Sequence, residues 1–510
     1  VVSFAMTAAR LYHCFHLSQS AGGRRLDRTR SGDPDRDPSQ SVQGRVLIKW
    51  SDRDPQHPKN WTTRKKITTT MIASAFTLMP PVASTMVAPG LGNMMQDLNI
   101  TSKVEGQLTI SVFVLAYAVG PMFLAPLSEI YGRVPVLQAS NAWFFCFNIG
   151  CGFAKTKEQM FVFRFLSGLG GSAPLAIGGG VVSDCFHAEK RAQAVSIYSL
   201  TPLLGPAIGP IAGGFMAQYT TWRWTFWATS AASAAIQIAA VFFLQESFAP
   251  KILQQRAAKL RKETDGQDFC TEFDNDYRLA RVLTNAIVRP FRFILTQPIV
   301  QVMALYQSYL NGVVYLMLST FPRLWRDTYG QSISTSGLNY ISFGIGLFLG
   351  AQIAVPFHNA VYAYLKKKNN GREKPEFRVP VIFVGAALVP IGLFWYGWSA
   401  QERSHWVMPN IGAGIYAAGT IICFQSTQAY IFDAYTKYAA SATAATMVLR
   451  SLAGFGFPLF APVMYNSLDY GWGNSLLGFL GIGIGVPAPI LFWIYGERLR
   501  SCQISRELEG

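Results

Sequence analysis

Residues 203–214 read Leu203-Leu-Gly-Pro-Ala-Ile-Gly-Pro-Ile-Ala-Gly-Gly214. On a helix, glycines that recur every four residues form a flat strip on one face, where another helix can approach closely. The prolines that follow two of them remove backbone hydrogen bonds and bend the helix. The pattern predicts a kinked, tightly packed helix, either at a mobile seam or in simple close packing. The residues concerned are Gly205, Pro206, Gly209, Pro210, Gly213 and Gly214.

This motif lies in an apolar run of about 25 residues, which is long enough for a helix to cross a bilayer. We find twelve such runs. Six lie in the first half of the chain, near 67–90, 106–127, 135–155, 159–182, 193–217 and 224–245. Six lie in the second half, near 297–320, 336–363, 379–398, 407–431, 441–466 and 474–496. Helices are expected, because lipid offers no partner to an open strand edge.

The composition supports a membrane protein. The 510 residues are 50% hydrophobic and only 14% charged, against about 25% charged residues in soluble domains. The chain is too apolar for general disorder, and its seven cysteines are too sparse for a disulfide scaffold. The predicted class is an all-α integral membrane protein with twelve transmembrane helices in two six-helix halves.

Polar segments divide this predicted protein into five parts. We expect a disordered cytoplasmic tail over 1–66, a six-helix bundle over 67–245 and a cytoplasmic central loop over 246–296. A second bundle over 297–497 and a cytoplasmic tail over 498–510 follow. Apolar residues at helical spacing after Glu246 predict an amphipathic helix in the central loop, either on the membrane surface or as a solvated linker.

Charge predicts the orientation. Most Lys and Arg residues fall in the tails, the central loop and the loop 366–378, so both termini are expected in the cytoplasm. This topology explains the net charge of +16 without a nucleic-acid partner. Two basic residues, Arg164 and Arg450, lie inside apolar runs. An intramembrane Arg is costly and is a functional candidate; for Arg164 the alternative is snorkelling to the nearby outer interface.

A second motif links the second and third runs and reads Ala125-Pro-Leu-Ser-Glu-Ile-Tyr-Gly-Arg-Val-Pro135. Its Glu129 and Arg133 are four residues apart and can pair with each other or with neighbouring helix ends. Asp184 follows the fourth run, and Asp433 ends the tenth. We predict a gating network of Glu129, Arg133 and Asp184, with Asp433 as its counterpart in the second half.

These strings resemble the signatures of the major facilitator superfamily, in the form found in fungal twelve-helix drug:proton antiporters. The resemblance covers roughly residues 45–500 and includes Trp222–Trp227, Tyr430–Tyr435 and Leu449–Ser451. Two positions of the loop motif depart from the family pattern: Ala125 replaces a Gly, and Val134 replaces a basic residue. The glycine–proline string matches the antiporter signature and implies export.

The resemblance also implies roles for individual residues. It places Arg164 in proton coupling and arranges the first, fourth, seventh and tenth helices around a central cavity. The resulting candidates for substrate contact are Tyr306, Asn311, Tyr315, Gln425 and Gln428. Such amides and phenols suit an amphipathic organic molecule, although for each residue an interhelical hydrogen bond is the simpler interpretation.

Other functions have less support. The six histidines do not cluster with acids, so we expect no enzyme, and no spacing indicates a metal site or a cofactor. Asn99-Ile-Thr101 is a candidate glycosylation site in the first outer loop. The prediction is a monomeric, multi-pass transporter, placed in the plasma membrane, that exports drugs, toxins or secondary metabolites in exchange for protons. A facilitator or importer, and a transport-inactive sensor, remain as alternatives.

Overall fold

The computed structural model describes residues 40–42, 45–51, 54–263, 269–271, 279–435 and 439–507. The first half contains α1 (Thr63–Thr85), α2 (Leu91–Asp97), α3 (Lys103–Tyr131), α4 (Arg133–Phe153), α5 (Lys157–Cys185), α6 (Ala188–Tyr219) and α7 (Arg223–Phe243). The central segment contains α8 (Ala249–Glu263) and α9 (Leu279–Thr296). The second half contains α10 (Pro298–Arg323), α11 (Ile333–Leu338), α12 (Tyr340–Lys368), α13 (Val379–Gln401), α14 (Val407–Ala434), α15 (Ala439–Gly485) and α16 (Pro487–Glu507).

The helices account for the twelve predicted runs. Within the described chain, eight helical segments are long and apolar enough to cross a membrane. The last of them, Ser441–Glu497, contains two crossings, because Asp469 takes a non-helical φ of 52° and breaks α15. The runs that remain fall on α4, α6 and α10. The chain is therefore an all-α membrane protein.

We name the two ends of the bundle by the predicted orientation. The inner end carries Gly132 and Asp184, and the outer end carries the loops that precede α3 and α7. Near the outer end the two halves pack tightly: a methyl group on Gly337 would lie 2.7 Å from the carbonyl oxygen of Pro210. One on Gly214 would lie 3.0 Å from that of Ile333. The halves also meet where α3 packs against α15.

The segment before α1 differs from the expected disordered tail. Strands β1 (Gln40–Val42) and β2 (Arg45–Ile48) form an antiparallel pair, and β2 pairs in parallel with β3 (Phe269–Thr271) of the central loop. Backbone pairing with a segment more than 200 residues away thus orders residues that composition alone assigns to a tail. Residues 1–39 of that tail, 508–510 of the carboxyl tail and parts of the central loop lie outside the described residues.

The predicted amphipathic helix of the central loop forms as α8. Its apolar side chains Leu253 and Ala257 are buried within the protein. Lys251 donates to the carbonyl oxygen of Ile130 at 3.1 Å, and Arg256 pairs with Asp54 at 2.7 Å. The buried side of α8 therefore packs on the protein, which neither the membrane-surface nor the solvated-linker interpretation predicted.

Candidate transport site and gate

Arg164 occupies the interior of the first half and is fully buried. Its Nε donates to the carbonyl oxygen of Thr109 at 3.1 Å. Its two terminal nitrogens donate to the carbonyl oxygens of Ala83 at 3.1 Å and Ser84 at 3.3 Å. The guanidinium also lies over the ring of Phe113, 4.6 Å from its centre. This burial excludes snorkelling of Arg164 to the membrane surface.

The carbonyl partners of Arg164 follow from the way α1 ends. The helix stops at Thr85, and a short 3-10 turn, Ala88–Gly90, follows. The last four carbonyl groups of a helix lack intrahelical partners and carry the negative end of its dipole. Ala83 and Ser84 belong to this last turn, so the buried positive charge of Arg164 is stabilised by a helix terminus. Among the described residues, no carboxylate pairs with it.

The glycine strip of α6 packs on the same turn of α1. A methyl group on Gly209 would lie 2.7 Å from the carbonyl oxygen of Val82, and one on Gly213 would lie 2.8 Å from the carbonyl carbon of Met86. Gly205 faces Pro81 in the same way, at 3.1 Å from its carbonyl carbon. Real Cβ atoms do not approach so closely, so glycine is required here. Gly214 lies beside the strip and faces the second half instead.

Tyr315 and Asn311 lie where the halves meet. A methyl group on Gly454 of α15 would lie 2.7 Å from Nδ2 of Asn311 and 3.0 Å from the Tyr315 ring. Asn311 donates to the carbonyl oxygen of Arg450 at 2.8 Å. The Tyr315 side chain lies near Ser84, whose carbonyl oxygen also accepts from Arg164. Of these two cavity candidates, Tyr315 thus lies near Arg164, and Asn311 binds the backbone of Arg450.

The other three cavity candidates have different surroundings. The hydroxyl of Tyr306 lies 3.0 Å from Sγ of Cys423, which is an interhelical contact inside the second half. Gln428 donates to the hydroxyl of Thr443 at 2.9 Å. Gln425 keeps a buried amide oxygen without a partner among the described residues. Hydrogen bonds between helices thus explain why Tyr306 and Gln428 are polar. The amide oxygen of Gln425 can still accept a hydrogen bond from a ligand.

At the inner end, Arg133 connects α3, α4 and α5. Its Nη1 donates to the hydroxyl of Ser128 at 2.8 Å, and its Nε lies 3.5 Å from Oδ2 of Asp184. The ring of Phe248 lies 4.9 Å from its guanidinium. The predicted link between Arg133 and Asp184 is therefore present in the structure.

Glu129 does not join this network. Its side chain is exposed and has no hydrogen bond or ion pair with another described residue. Glu129 does not pair with Arg133 across a helical turn because α3 ends at Tyr131. Gly132, whose φ is 106°, then turns the chain before Arg133. The spacing of four residues therefore does not place Glu129 and Arg133 on one helix face.

The acidic residue that binds the start of α4 is Glu246, which follows α7. Its carboxylate accepts from the backbone N–H groups of Arg133 at 3.0 Å and Val134 at 3.1 Å. It also accepts from the N–H groups of Ser247 and Phe248. It thus caps the positive end of α4. Sequence reasoning did not assign Glu246 this contact, which spans more than 110 residues.

The second half repeats the arrangement. Arg378, just before α13, donates from Nε to Oδ2 of Asp433 near the end of α14 at 2.9 Å. The guanidinium lies over Tyr362 at 4.4 Å. Arg133 and Asp184 hold the corresponding places at the start of α4 and the end of α5. Asp433 is thus the geometric counterpart of Asp184, and sequence reasoning missed its partner Arg378.

The comparisons with known proteins agree with this geometry. A family model described as Major Facilitator Superfamily matches residues 71–458. The efflux pump vrtL of Penicillium aethiopicum is 49% identical over 470 residues, which cover 92% of both proteins. The efflux pump radE of Floropilus chiversii is 39% identical, covering 91% of this chain and 87% of the relative. The chain belongs to the Major Facilitator Superfamily.

Solved structures show the same major facilitator fold. The partially occluded inward-open form of the xylose transporter XylE from E. coli aligns with a TM-score of 0.63. It covers 84% of this chain and 98% of XylE, at 14% sequence identity. As a member of this family, the protein is a multi-pass transporter of small molecules and not an enzyme.

One further prediction concerns the periphery of this transporter, and one buried histidine lies outside the site described above. Asn99 is exposed in the turn between α2 and α3, with a φ of 53°, so the candidate glycosylation site is at the surface. His358 is buried, and its Nε2 lies 2.6 Å from the hydroxyl of Ser426. In the part of the chain that the structure describes, no group of His, Cys, Asp and Glu side chains is arranged to hold a metal ion.

Proposed function

We infer that this transporter exports small amphipathic organic molecules, such as drugs, toxins or secondary metabolites, in exchange for protons. Relatives that cover about nine tenths of the chain are named efflux pumps. The glycine–proline strip of α6 resembles the antiporter signature, and its close packing on α1 supports a role in alternating access.

The observation that carries the proposal is the junction of α1, α5 and α6. The turn that accepts hydrogen bonds from Arg164 is also the turn against which Gly205, Gly209 and Gly213 pack. Movement of α6 along α1 would therefore shift the carbonyl groups that hold the buried charge. A bistable contact of this kind couples a helix movement to the electrostatics of the site.

Protons would act at the inner end. Protonation of Asp184 would remove its attraction for Arg133, and protonation of Asp433 would do the same for Arg378. Both pairs join the start of one helix to the end of another. Their loss would loosen the inner end of each half and favour one of the two access states.

We propose that the transporter acts as a single copy in the plasma membrane, with both termini in the cytoplasm and a glycan on Asn99. The concentration of Lys and Arg at the inner end supports this orientation.

Efflux from yeast that lacks its own drug pumps tests the function. Cells expressing the chain are loaded with a panel of labelled hydrophobic compounds, and efflux is followed with and without a protonophore. We expect protonophore-sensitive efflux that falls about tenfold or more in Arg164→Ala, because charged hydrogen bonds are each worth about 1.5–3 kcal/mol. Arg323→Ala, which removes a partly exposed Arg near the outer end, serves as the matched control.

The other outcomes identify the alternatives. Efflux that the protonophore does not change would indicate a facilitator and contradict proton coupling. Accumulation rather than efflux would indicate an importer. If no compound moves although the protein reaches the cell surface, export of the tested class is contradicted and a sensor is favoured.

A further inference from the structure

Arg450 is a second basic residue in the interior of the bundle. It lies on α15, eleven residues after the start of that helix, and its side chain is only partly accessible. Its guanidinium lies 5.7 Å from the centre of the Phe424 ring. Among the described residues it pairs with no carboxylate, and only its backbone oxygen is bound, by Asn311. The five N–H donors of its guanidinium thus have no acceptor in the described part of the chain.

Tyr315 connects this residue with Arg164. It is close enough to both guanidinium groups to interact electrostatically with each, and its ring packs on Gly454, one turn beyond Arg450. The two positive charges therefore belong to one region at the contact between the halves. Arg164 is held by three carbonyl oxygens, whereas the guanidinium of Arg450 is available.

Among the residues that the structure describes, no acidic side chain offsets these charges. The acidic side chains of the described bundle lie at the ends of the membrane spans or in connecting segments. Inside a low-dielectric region, two fixed positive charges repel a cation and attract an anion more strongly than they would in water. A planar guanidinium also binds a carboxylate or a phenolate with particular strength and geometry.

Uncharged groups complete the site. Gln307, Asn311 and Tyr315 are spaced by four on α10 and share one side of that helix. Both polar atoms of Gln307 are buried without a partner among the described residues, as is the amide oxygen of Gln425. The ring of Phe424 lies beside Arg450, and Tyr315 is close enough to interact with it electrostatically. The site thus offers hydrogen bonds and aromatic surface next to a positive charge.

We propose that the transporter selects amphipathic organic anions, aromatic carboxylates and phenolates, and that Arg450 binds their anionic group. The inference rests on the proposed export function and specifies its substrate class. Tyr315 then places the anion next to Arg164, so that substrate binding and the α1–α6 junction share one electrostatic environment.

Two dyes with the same xanthene skeleton provide the test: fluorescein, an anion, and rhodamine 123, a cation. Efflux of each is measured from yeast expressing the wild-type chain, Arg450→Gln, Arg450→Lys or Tyr315→Phe. Binding of each dye to the purified proteins is measured separately by the shift in thermal unfolding. We expect the wild-type protein to prefer fluorescein, and Arg450→Gln to raise its half-saturating concentration about tenfold or more. Arg450→Lys keeps the charge and is expected to retain part of the affinity.

The two measurements separate the failure of this inference from the failure of the export function. Protonophore-sensitive efflux of rhodamine 123 without efflux or binding of fluorescein would leave export standing and overturn the anion site. Arg450-dependent binding of fluorescein without any efflux would support the anion site and contradict export. Equal loss of efflux and binding of both dyes in Arg450→Gln and Arg450→Lys, with lower thermal stability, would make Arg450 a packing residue and overturn the inference. Absence of fluorescein binding to the wild-type protein would also overturn it.

Discussion

Arg378 and Asp433 meet at 2.9 Å in the second half at the place where Arg133 and Asp184 meet at 3.5 Å in the first. In each pair, the basic residue precedes or begins a helix and the acid ends the following one. The two halves thus carry the same ion pair at the inner end. Under the proposed function, we expect the two pairs to break and form together when the inner end opens and closes.

Removing the charge of Asp184 is expected to weaken transport. In Asp184→Asn the ion pair with Arg133 is lost. Because coupling between a gate and a transport site is typically worth about 1–3 kcal/mol, we expect the efflux rate to fall fivefold or more. Efflux of a transported dye from intact cells measures the effect. Glu129→Gln is the matched control, since that exposed acid lies outside the network; an equal defect in the control would contradict the gate described here.

A methyl group on the glycine strip is expected to separate α6 from α1. In Gly209→Ala the new Cβ would meet the backbone of Val82, and such overpacking costs about 1–3 kcal/mol. Thermal unfolding of the purified protein and efflux in cells should both show a loss. Gly456→Ala adds the same methyl group where no atom lies within 4 Å, and it should behave like the wild type.

Glu246→Gln tests the cap on α4. An amide presents one accepting oxygen where the carboxylate presents two, and it lacks the negative charge that favours a helix start. We expect a loss of about 1–2 kcal/mol, seen as a lower unfolding temperature. Glu263→Gln, on the exposed end of α8, is the comparison. An unchanged unfolding temperature in Glu246→Gln would show that the four N–H groups find other acceptors.

Thr101→Ala removes the glycosylation motif without altering Asn99, whose left-handed backbone another residue would disturb. We expect the glycosidase-sensitive form of the protein to disappear from gels of yeast membranes. Thr62→Ala removes the corresponding motif at Asn60, predicted on the cytoplasmic side, and should change nothing. Loss of the glycosylated form in Thr62→Ala but not in Thr101→Ala would contradict the proposed orientation.

The sequence predicts features that depend on local periodicity. Twelve apolar runs identify the bundle, because each span must satisfy its own backbone hydrogen bonds. The strip of Gly205, Gly209 and Gly213 predicts a close helix contact, although it does not say that α1 is the partner.

Features that depend on distant contacts escape sequence reasoning. The carbonyl groups that hold Arg164 have no side-chain signature, and the cap provided by Glu246 joins residues more than 110 positions apart. Glu129 shows the opposite error: its spacing from Arg133 is correct for a helix, but Gly132 ends that helix between them. Arg378 could have been found by seeking in the second half the basic partner that Asp184 has in the first.

The pairing of β2 with β3 shortens the free connection between the halves. The central loop is attached to the first half by β3, by Arg256 on Asp54 and by Lys251 on Ile130. On the other side, α9 contacts both α3 and α15, so it must follow any rocking of one half against the other. We therefore expect the connection to act as a short tether that limits how far the inner end can open.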